Sequence, residues 1–343
     1  MAEPFVSVIM PVRNEEAFIA RSLGAVLSQD YPADRIEVVV ADGESDDHTR
    51  DIIASLPGAE RVRVIKNPQR RQAFGLNAAI RQARGEIIVR VDGHTIIAPD
   101  YVRQCVRALT ESGAVNVGGR MEPVGETAIG RAIAAAGASR FGVPTAFHVS
   151  ERPQFTDTVY LGAWPREALT AAGGFDERMR VNEDYELNHR LRQAGGRIYL
   201  SPAIRSTYYG RQSLSALARQ YFTYGWDRTN TLKLHPNSLK PRQLVAPTFV
   251  AALLLGGALA LLNPWARTAW IALLITYALA NIVASAMAAR RSGWDLLSRL
   301  PLVFATMHVA WGLGFWKGAL FGGSLSRHGT ASAHIDTQQQ GGR

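Results

Sequence analysis

The sequence predicts an α/β fold with a mostly parallel sheet, followed by an interfacial helix and a C-terminal transmembrane helical region. Through about the first 210 residues, short runs rich in β-branched residues alternate with segments of helical periodicity. That alternation is typical of a parallel sheet covered by helices on both faces. After residue 242 the chain becomes strongly apolar, in segments that approach the length needed to cross a bilayer.

The elements of the predicted sheet follow one another in regular order. The second strand contains the run IEVVVA, which is apolar on both faces and therefore fits a strand buried on both sides. Right-handed crossovers between successive strands give a doubly wound layer structure. The predicted strands are residues 5–10, 35–41, 62–66 and 86–91, and the predicted helices are residues 15–27, 46–56 and 71–84.

The bulk properties restrict the classes of partner. A net charge of +9 and a pI of about 10.0 fit anionic lipid, phosphorylated ligands or nucleic acid. Zinc-finger spacing and aromatic RNA-binding motifs are absent from the sequence, so we expect no nucleic-acid partner. Cys105 is the single cysteine, which suits a reducing compartment. The N-terminal residues are interpreted as a first strand and not as a secretion signal.

Three apolar segments follow the α/β region. Residues 244–262 and 268–289 carry no charged side chain, and each approaches the length of a membrane span. Residues 300–321 contain His308 and Lys317, so this segment either spans the membrane or dips in and returns. The competing interpretation is a buried helix pair of a soluble protein, which would have to hide two helices that are apolar on all sides.

Basic residues beside the spans predict the orientation, because positively charged loops stay in the cytoplasm. We therefore expect the inner (cytoplasmic) membrane, with the N-terminal domain facing the cytoplasm. The basic residues are Lys240, Arg242, Arg290, Arg291 and Arg299. The predicted divisions are an α/β domain at residues 1–210, an interfacial region at 211–242, a region of two to three transmembrane helices at 243–323, and a disordered tail at 324–343.

Polar clusters follow three of the predicted strands, at residues 11–15, 42–47 and 92–94. Each cluster alone is compatible with an ordinary loop. Ligands of open α/β sheets bind at the carboxyl ends of the strands, and all three clusters fall at that edge. The sequence therefore predicts one binding site there.

Four motifs, in this order, resemble family 2 glycosyltransferases. They are PVRNEE, ADGESDDHT, a strand ending in VDGH, and GGFDERMRVNEDYEL. The resemblance covers about residues 6–228 and is to the subgroup that builds bacterial exopolysaccharides, such as the succinoglycan glucosyltransferases. It implies the GT-A fold, which is the Rossmann-like fold of nucleotide-diphospho-sugar transferases.

The resemblance implies a nucleotide-sugar site at the first strand ends. Asp42 matches the family carboxylate that accepts hydrogen bonds from the base or ribose, and the alternative is a turn residue that bonds its own backbone. Asn77 matches a base-contacting asparagine, with a solvated helix face as the alternative. The loop after the first strand would form the wall around the base and ribose. Its residues are Pro11, Arg13, Asn14 and Glu15.

Asp92 and His94 stand where the family commonly has Asp-x-Asp. A divalent cation offsets the charge of the leaving nucleoside diphosphate, and we expect Mg²⁺ or Mn²⁺ bound by Asp92, which also serves the nucleotide sugar. Mn²⁺ tolerates an imidazole, which would admit His94 as a ligand. The alternatives are a solvated turn closed by Gly93, and a His94 side chain that bonds phosphate or a neighbouring carboxylate.

Two acids open a predicted helix in VNEDYEL. A carboxylate that accepts the proton of a sugar hydroxyl lowers the barrier to its attack. The resemblance places this base at Asp184, with Glu183 orienting or contacting the acceptor. Direct attack on the anomeric carbon would invert it. The alternative is that both acids only cap the helix, because a helix N-terminus stabilises carboxylates.

Further residues are predicted on the acceptor side. Gly162 and Trp164 match the acceptor region of the family, since aromatic faces stack on sugar rings, and Trp164 fits the core equally well. The segment 219–228 mixes aromatic and basic residues and resembles the non-processive members, with possible binding of the acceptor or donor diphosphate. A basic helix face on anionic lipid is the alternative. The residues are Arg219, Gln220, Trp226 and Arg228.

The sequence thus predicts an inverting, non-processive glycosyltransferase at the membrane. It would move a sugar from a nucleotide-sugar donor, UDP-linked for preference, to a polyprenyl-diphosphate-linked saccharide in exopolysaccharide biosynthesis. Two alternatives stay open. One is a polyprenyl-phosphate sugar synthase of the same fold, and the other is a membrane protein that binds nucleotide sugars without turnover. The oligomeric state is not predicted.

Overall fold

Four parallel strands form one half of the sheet in the computed structural model, which describes residues 3–142, 147 and 150–322. They lie in the order β3-β2-β1-β4. Strands β1 and β2 are buried along almost their whole length, as their β-branched residues require. The four strands are β1 (Val6–Val12), β2 (Ile36–Asp42), β3 (Val62–Lys66) and β4 (Ile87–Arg90).

The other half of the sheet is mixed. Strand β8 runs antiparallel to β4 and to β6, and β9 runs parallel to β6 and antiparallel to β5 and β7. The complete order is β3-β2-β1-β4-β8-β6-β9-β5, with β7 on β9. The added strands are β5 (Thr95–Ile97), β6 (Asn116–Val124), β7 (Gln154–Thr156), β8 (Tyr160–Pro165) and β9 (Ile198–Tyr209).

Helices cover both faces of the sheet and create two apolar cores. One core lies between the sheet and α1 with α4, and the other lies under α3, α6 and α7. The helices are α1 (Ile19–Leu27), α2 (Thr49–Ser55), α3 (Gln72–Gln82), α4 (Tyr101–Ser112), α5 (Ala128–Gly137), α6 (Arg166–Ala171) and α7 (Glu183–Gln193).

Four long helices complete the described chain: α8 (Leu214–Leu234), α9 (Val245–Ala260), α10 (Pro264–Ser292) and α11 (Leu300–Phe321). Two stretches, Pro241–Ala260 and Pro264–Ser292, are long and apolar enough to cross a membrane. Both are largely unburied, with leucines such as Leu255 and Leu279 exposed. A water-soluble core helix would bury such a surface, so the two helices form an apolar hairpin suited to lipid.

Helix α11 packs along α8 and is not one of the two candidate spans. Glycines bring the helices together: a Cβ on Gly314 would lie 2.0 Å from the carbonyl oxygen of Phe222, and one on Gly225 would lie 2.1 Å from that of Trp311. The third apolar segment is thereby bound to the helix that leaves the α/β domain.

The predicted fold class is confirmed, and the four predicted strands match β1 to β4 with shifts of one or two residues at their ends. The first three helices are shorter than predicted, by four residues at the start of α1. The five later strands were not predicted. The whole predicted tail, residues 324–343, lies outside the described residues, and the domain boundaries stay predictions.

Candidate active site

Three strand ends meet at one edge of the sheet. The register pairs Val12 at the end of β1 with Asp42 at the end of β2, and the N–H of Val91 donates to the carbonyl of Ile9. The predicted polar clusters after β1, β2 and β4 are therefore neighbours in space, because parallel strands end on the same side.

The loops after β1 and β2 hold each other. The Asn14 N–H donates to the Ser45 hydroxyl over 3.0 Å, and its side-chain amide donates to Asp46 over 2.6 Å. Asn14 has a φ of 54° and Glu44 a φ of 55°, a left-handed conformation that is strained for residues with a side chain. Strain of this kind persists only where the surroundings impose it, and here it accompanies the predicted nucleotide-sugar loop.

Asp42 is buried and accepts a 2.6 Å hydrogen bond from the Ser45 hydroxyl, with the Arg50 guanidinium 3.8 Å away. The carboxylate is thus fixed by its own turn, as the alternative interpretation expects. Its remaining lone pairs are compatible with a ligand, because an ionised carboxylate can accept about four hydrogen bonds.

The centre of the site is an arginine that sequence reasoning missed. Arg90, at the end of β4, is 5% exposed, and its Nε and Nη2 donate to the two Asp92 carboxylate oxygens over 2.8 and 3.1 Å. Its Nη1 lies 3.1 Å from the Glu183 carboxylate, and the Gln72 amide donates to Asp92 over 3.3 Å. One guanidinium therefore connects the end of β4 to the start of α7, which carries the predicted base.

The charges of this cluster shift its pKa values. Burial raises the pKa of Asp92, but Arg90 outweighs that effect, so the pKa is lowered and the carboxylate stays ionised. Burial raises the pKa of Glu183 to about 7, opposed by Arg90 and reinforced by Asp184. Burial also raises the pKa of Asp184, again against Arg90 and with help from the charge of Asp92. Asp92, Glu183 and Asp184 thus influence one another through a shared field, which is typical of functional sites.

His94 is held by Glu15. Its Nδ1 lies 2.9 Å from the Glu15 carboxylate, and the edge of its ring faces Tyr208 with centroids 5.4 Å apart. Burial lowers the pKa of His94, but the hydrogen bond to Glu15 and the charges of Glu15 and Asp92 raise it by more, so the net pKa is above its ordinary value. Because Nδ1 is engaged, Nε2 is the nitrogen available to a ligand.

Asp92 and His94 are the side chains at this edge that the sequence predicts as ligands of a divalent cation. No cluster of three or more His, Cys, Asp or Glu side chains with the arrangement of a metal site occurs within the described ranges. Asp92 and His94 nevertheless fit a cation that takes its other ligands from a diphosphate and water, as Mg²⁺ and Mn²⁺ do. The carboxylate on Nδ1 supports this fit, since metal-binding histidines usually donate their other ring N–H to such a group.

The structure places Trp164 in the core. Its side chain is fully buried and packs edge to face on Phe175 with centroids 5.9 Å apart, so its ring offers no face to a sugar. Gly162 has a φ of 119°, and a Cβ there would lie 2.4 Å from the Trp164 ring. Trp164 is therefore a core residue, as the alternative interpretation expects. Gly162 lacks the Cβ that would clash with the Trp164 ring.

Two more predicted residues hold protein segments. Asn77 accepts the N–H of Phe175 over 2.9 Å and donates to its carbonyl over 2.8 Å, which fixes the loop that leads to Glu183. Arg228 is buried against the Tyr185 ring at 4.4 Å and donates to the Gln243 side chain over 3.0 Å. In these positions neither side chain is free toward a nucleotide or a diphosphate.

The other predicted residues of α8 divide between two faces. Gln220 donates to the hydroxyl of Tyr224 over 2.8 Å and to that of Tyr208 over 3.4 Å, which places it beside the His94 end of the site. Arg219 is exposed, and Trp226 packs under the Lys317 ammonium at 4.5 Å from the ring centroid. Only Gln220 among them is linked by contacts to the strand ends.

Carboxylates gathered at the edge of such a sheet are the arrangement that the resemblance predicts for a glycosyltransferase of the GT-A fold. The mannosyltransferase PcManGT from Pyrobaculum calidifontis, solved in complex with GDP-Man and Mn²⁺, superposes with a TM-score of 0.58 at 22% identity, over 93% of this chain and 88% of that chain. At that identity the likeness establishes the fold.

Sequence comparison establishes the family. A family model described as Glycosyl transferase family 2 matches residues 7–151. The succinoglycan biosynthesis protein ExoA of Rhizobium meliloti (strain 1021) is 31% identical over 322 residues, or 90% of this chain and 93% of that protein. The dolichyl N-acetyl-alpha-D-glucosaminyl phosphate 3-beta-D-2,3-diacetamido-2,3-dideoxy-beta-D-glucuronosyltransferase of Methanococcus voltae is 26% identical over 64% of this chain and 72% of that protein. The chain belongs to glycosyltransferase family 2, which confirms the resemblance.

Proposed function

We propose that this glycosyltransferase is a membrane-bound, inverting and non-processive enzyme that extends a lipid-linked saccharide in exopolysaccharide biosynthesis. The donor is a nucleotide sugar, UDP-linked in the first instance, and the acceptor is a polyprenyl-diphosphate-linked saccharide. The observation that carries the proposal is the Arg90 bridge, which holds Asp92 of the donor side and Glu183 of the acceptor side within 3.1 Å of one guanidinium.

The relatives support the substrate class. The R. meliloti relative that covers nearly the whole chain is a succinoglycan biosynthesis protein, and the M. voltae relative has a dolichyl phosphate sugar as its acceptor. Both names point to the assembly of glycans, and the second points to a lipid carrier. The apolar hairpin of α9 and α10 would keep the catalytic domain at the membrane, facing the cytoplasm, where nucleotide sugars are made.

The donor side would bind the nucleotide through Asp42 and the loop around Asn14. Asp92 and the Nε2 of His94 would hold a Mg²⁺ or Mn²⁺ ion. When bound, that ion supplies Lewis-acid stabilisation of the charge that develops on the leaving diphosphate. Glu15 orients the His94 ring for this contact.

The acceptor side would supply the base. Asp184 is half-buried at the first turn of α7, where the helix dipole and Arg90 favour its ionised form against burial. Its carboxylate accepts the proton of the acceptor hydroxyl as that oxygen attacks the anomeric carbon. A single direct displacement inverts the configuration, so an α-linked donor gives a β-linked product.

The test is Asp184→Asn in the full chain. We expect kcat to fall by about 10²–10⁴-fold, because the amide cannot accept the proton, while the donor KM stays within about threefold of wild type. Transfer from UDP-linked and GDP-linked sugars to prenyl-diphosphate saccharides is read by mass spectrometry. The control is Glu167→Gln, an exposed acid on α6.

Normal transfer by Asp184→Asn to a prenyl phosphate would instead identify a polyprenyl-phosphate sugar synthase, since a phosphate acceptor is already ionised. Donor binding without turnover on any of these acceptors would identify a nucleotide-sugar-binding protein.

A further inference from the structure

A groove of about 520 Å³ lies between α8 and α11, away from the carboxylates of the active site. Most of its lining is apolar, with two threonines and a single charged side chain, Arg219, among the lining residues. Its volume falls in the range of sites that hold one small ligand. The lining residues include Ala218, Arg219, Phe222, Thr223, Ala310 and Leu313.

The groove follows from the way the two helices pack. Gly225, Gly314 and Gly318 let the backbones touch along the second half of α8, where no side chain fits between them. Before this seam, small residues such as Ala218 and Ala310 face a gap that the helices do not fill. The seam therefore closes one end of the groove and holds its walls at a constant spacing.

The charges at the groove are positive. Arg219 is exposed, and for the residues that the structure describes its guanidinium has no ion-pair or hydrogen-bond partner. Lys317, one turn beyond Leu313 on α11, lies 5.5 Å from the ring centroid of Phe222, which lines the groove. An anionic group at the mouth would meet complementary charge on both helices.

The groove also lies at the base of the apolar hairpin. Helix α11 meets α9 near its beginning, where the Trp316 indole donates to the carbonyl of Pro247 over 2.8 Å. It meets α10 near its C-terminal half, where the Asn281 amide donates to the carbonyl of Pro301 over 3.0 Å. The rest of the hairpin extends beyond α11 with exposed leucines. The groove therefore lies on the helix that joins the hairpin to the rest of the chain.

The opposite face of α8 reaches the active site. Gln220 follows Arg219 directly and bonds Tyr208, whose ring contacts His94. Arg219 and Gln220 are adjacent in sequence but point in different directions, so the groove and the sugar-transfer site lie on different faces of the same helix. Neither a water-soluble saccharide nor a peptide segment accounts for both the apolar walls and the position beside the membrane.

We propose that this groove binds the hydrocarbon chain of the lipid acceptor, a prenyl diphosphate, with the diphosphate at Arg219. The proposal rests on the proposed function and deepens it by assigning a binding site for the lipid. A prenyl group has a single chain to place along the groove, whereas a bilayer phospholipid would have to place two acyl chains.

The experiment measures binding of farnesyl diphosphate to the full chain in detergent, with inorganic diphosphate and farnesol as separate arms. Thr223→Trp fills the groove from an exposed position, and Arg219→Gln removes its charge. Leu320→Trp, exposed on α11 outside the groove, is the matched control.

We expect Thr223→Trp to raise the Kd for farnesyl diphosphate by about tenfold, because apolar burial contributes most of the affinity of a prenyl chain. Arg219→Gln should weaken farnesyl diphosphate by about tenfold and leave farnesol unchanged.

Three results would overturn the proposal: equal affinity for inorganic and farnesyl diphosphate, no effect of Thr223→Trp, or equal loss in Leu320→Trp. Displacement of farnesyl diphosphate by phosphatidylglycerol vesicles at the same lipid concentration would also overturn it, in favour of a bilayer-lipid site. Failure of the proposed function gives a different pattern. In that case farnesyl diphosphate binds and Thr223→Trp weakens it, but no sugar is transferred to any prenyl-diphosphate acceptor.

Discussion

Two buried glutamates lie one turn apart on α7, and their surroundings differ in a way that separates a functional site from a structural one. Glu183 is 4% exposed and shares Arg90 with Asp92, while Glu186 is fully buried and has Arg190 to itself. The Arg190 Nε and Nη2 atoms donate to Glu186 over 2.7 Å each, and the His235 ring lies 2.8 Å away.

The difference is the number of donors for each negative charge. Glu186 has three donors, which match its charge and most of its lone pairs, so its burial is compensated. Around Arg90, one guanidinium faces the carboxylates of Asp92, Glu183 and Asp184, an excess of negative charge in a buried place. Such an excess is costly in a protein without ligands, and it is reduced when a hydroxyl proton or a cation enters the site.

Among the changes that compare the surroundings of the two glutamates, the largest effect is expected for Arg90→Met. The variant leaves Asp92 and Glu183 without their shared cation, so both carboxylates lose their fixed positions. We expect kcat/KM to fall by about 10²–10³-fold, as when an aligned charged group is removed from a site. Arg90→Lys should recover only part of this, because a point charge cannot bond both Asp92 oxygens and Glu183 together.

A fold defect is separated from a positioning defect by adding guanidinium ion to Arg90→Ala. Recovery of turnover shows that the missing group, and not the fold, limits the rate. Activity of Arg90→Met within threefold of wild type would remove the Arg90 bridge from the mechanism.

The next effect concerns stability. Glu186→Gln leaves Arg190 and His235 beside a neutral amide in a buried place, which should lower the free energy of unfolding by about 2–4 kcal/mol. The measurement is the apparent Tm of the purified chain, with the kcat of the surviving folded fraction. Because Glu186 is placed as a structural residue, kcat should stay within about twofold, and a large loss of kcat with normal Tm would reverse the comparison.

Glu183→Gln is expected to act in the opposite direction on stability. The pKa of Glu183 is raised in the folded protein to about 7, above its ordinary value of 4.5, so the folded state favours the protonated form. The protonated Glu183 side chain therefore contributes to the free energy of unfolding in full below about pH 4.5, and this contribution is lost as the pH rises through about 7. The amide resembles the protonated acid, so Glu183→Gln should be more stable than wild type at pH 8 by roughly 1–3 kcal/mol, with no difference at pH 4.5.

Thermal unfolding of both proteins from pH 4.5 to 8 checks this expectation. The matched variant is Glu186→Gln, which should be less stable than wild type at pH 8. If Glu183→Gln were also less stable at pH 8, Glu183 would be as well compensated as Glu186.

The first half of the sheet was predictable because its information is local. Strands β1, β2 and β4 are mainly apolar runs buried on both faces, the edge strand β3 is a short β-branched run that is partly exposed, and the helices between the strands show clear periodicity. Strands β5, β7 and β8 are short or irregular, and β9 includes the exposed positions of a mixed sheet, so their pairing depends on distant segments. Periodicity does not reveal such pairing.

The positions of Asp42 and Asp92 were predictable because their motifs follow strands, and those of Glu183 and Asp184 because two adjacent acids open a periodic helix. The role of Arg90 was not assigned, although a charged residue inside an otherwise apolar strand is a signal that a buried partner exists. For Trp164 the sequence suggested a role in the site that its position in the fold does not support. An aromatic residue beside a glycine is compatible with a sugar platform and with the core, and only the fold decides which face it presents.

The smallest effect tests how the end of α8 is connected to α7. His235, which caps α8, reaches Glu186 across the two helices, and its ring lies 5.0 Å from that of His189. His235→Gln retains a donor for Glu186, whereas His235→Leu removes it. We expect the free energy of unfolding to fall by under about 0.5 kcal/mol for His235→Gln and by about 1–2 kcal/mol for His235→Leu, read from apparent Tm.

A double-mutant cycle of His235→Leu with Glu186→Gln should show a coupling of about 1 kcal/mol, because residues that share a hydrogen bond do not contribute independently. Additive losses would mean that Arg190 alone compensates Glu186, and that the position of α8 depends on its seam with α11.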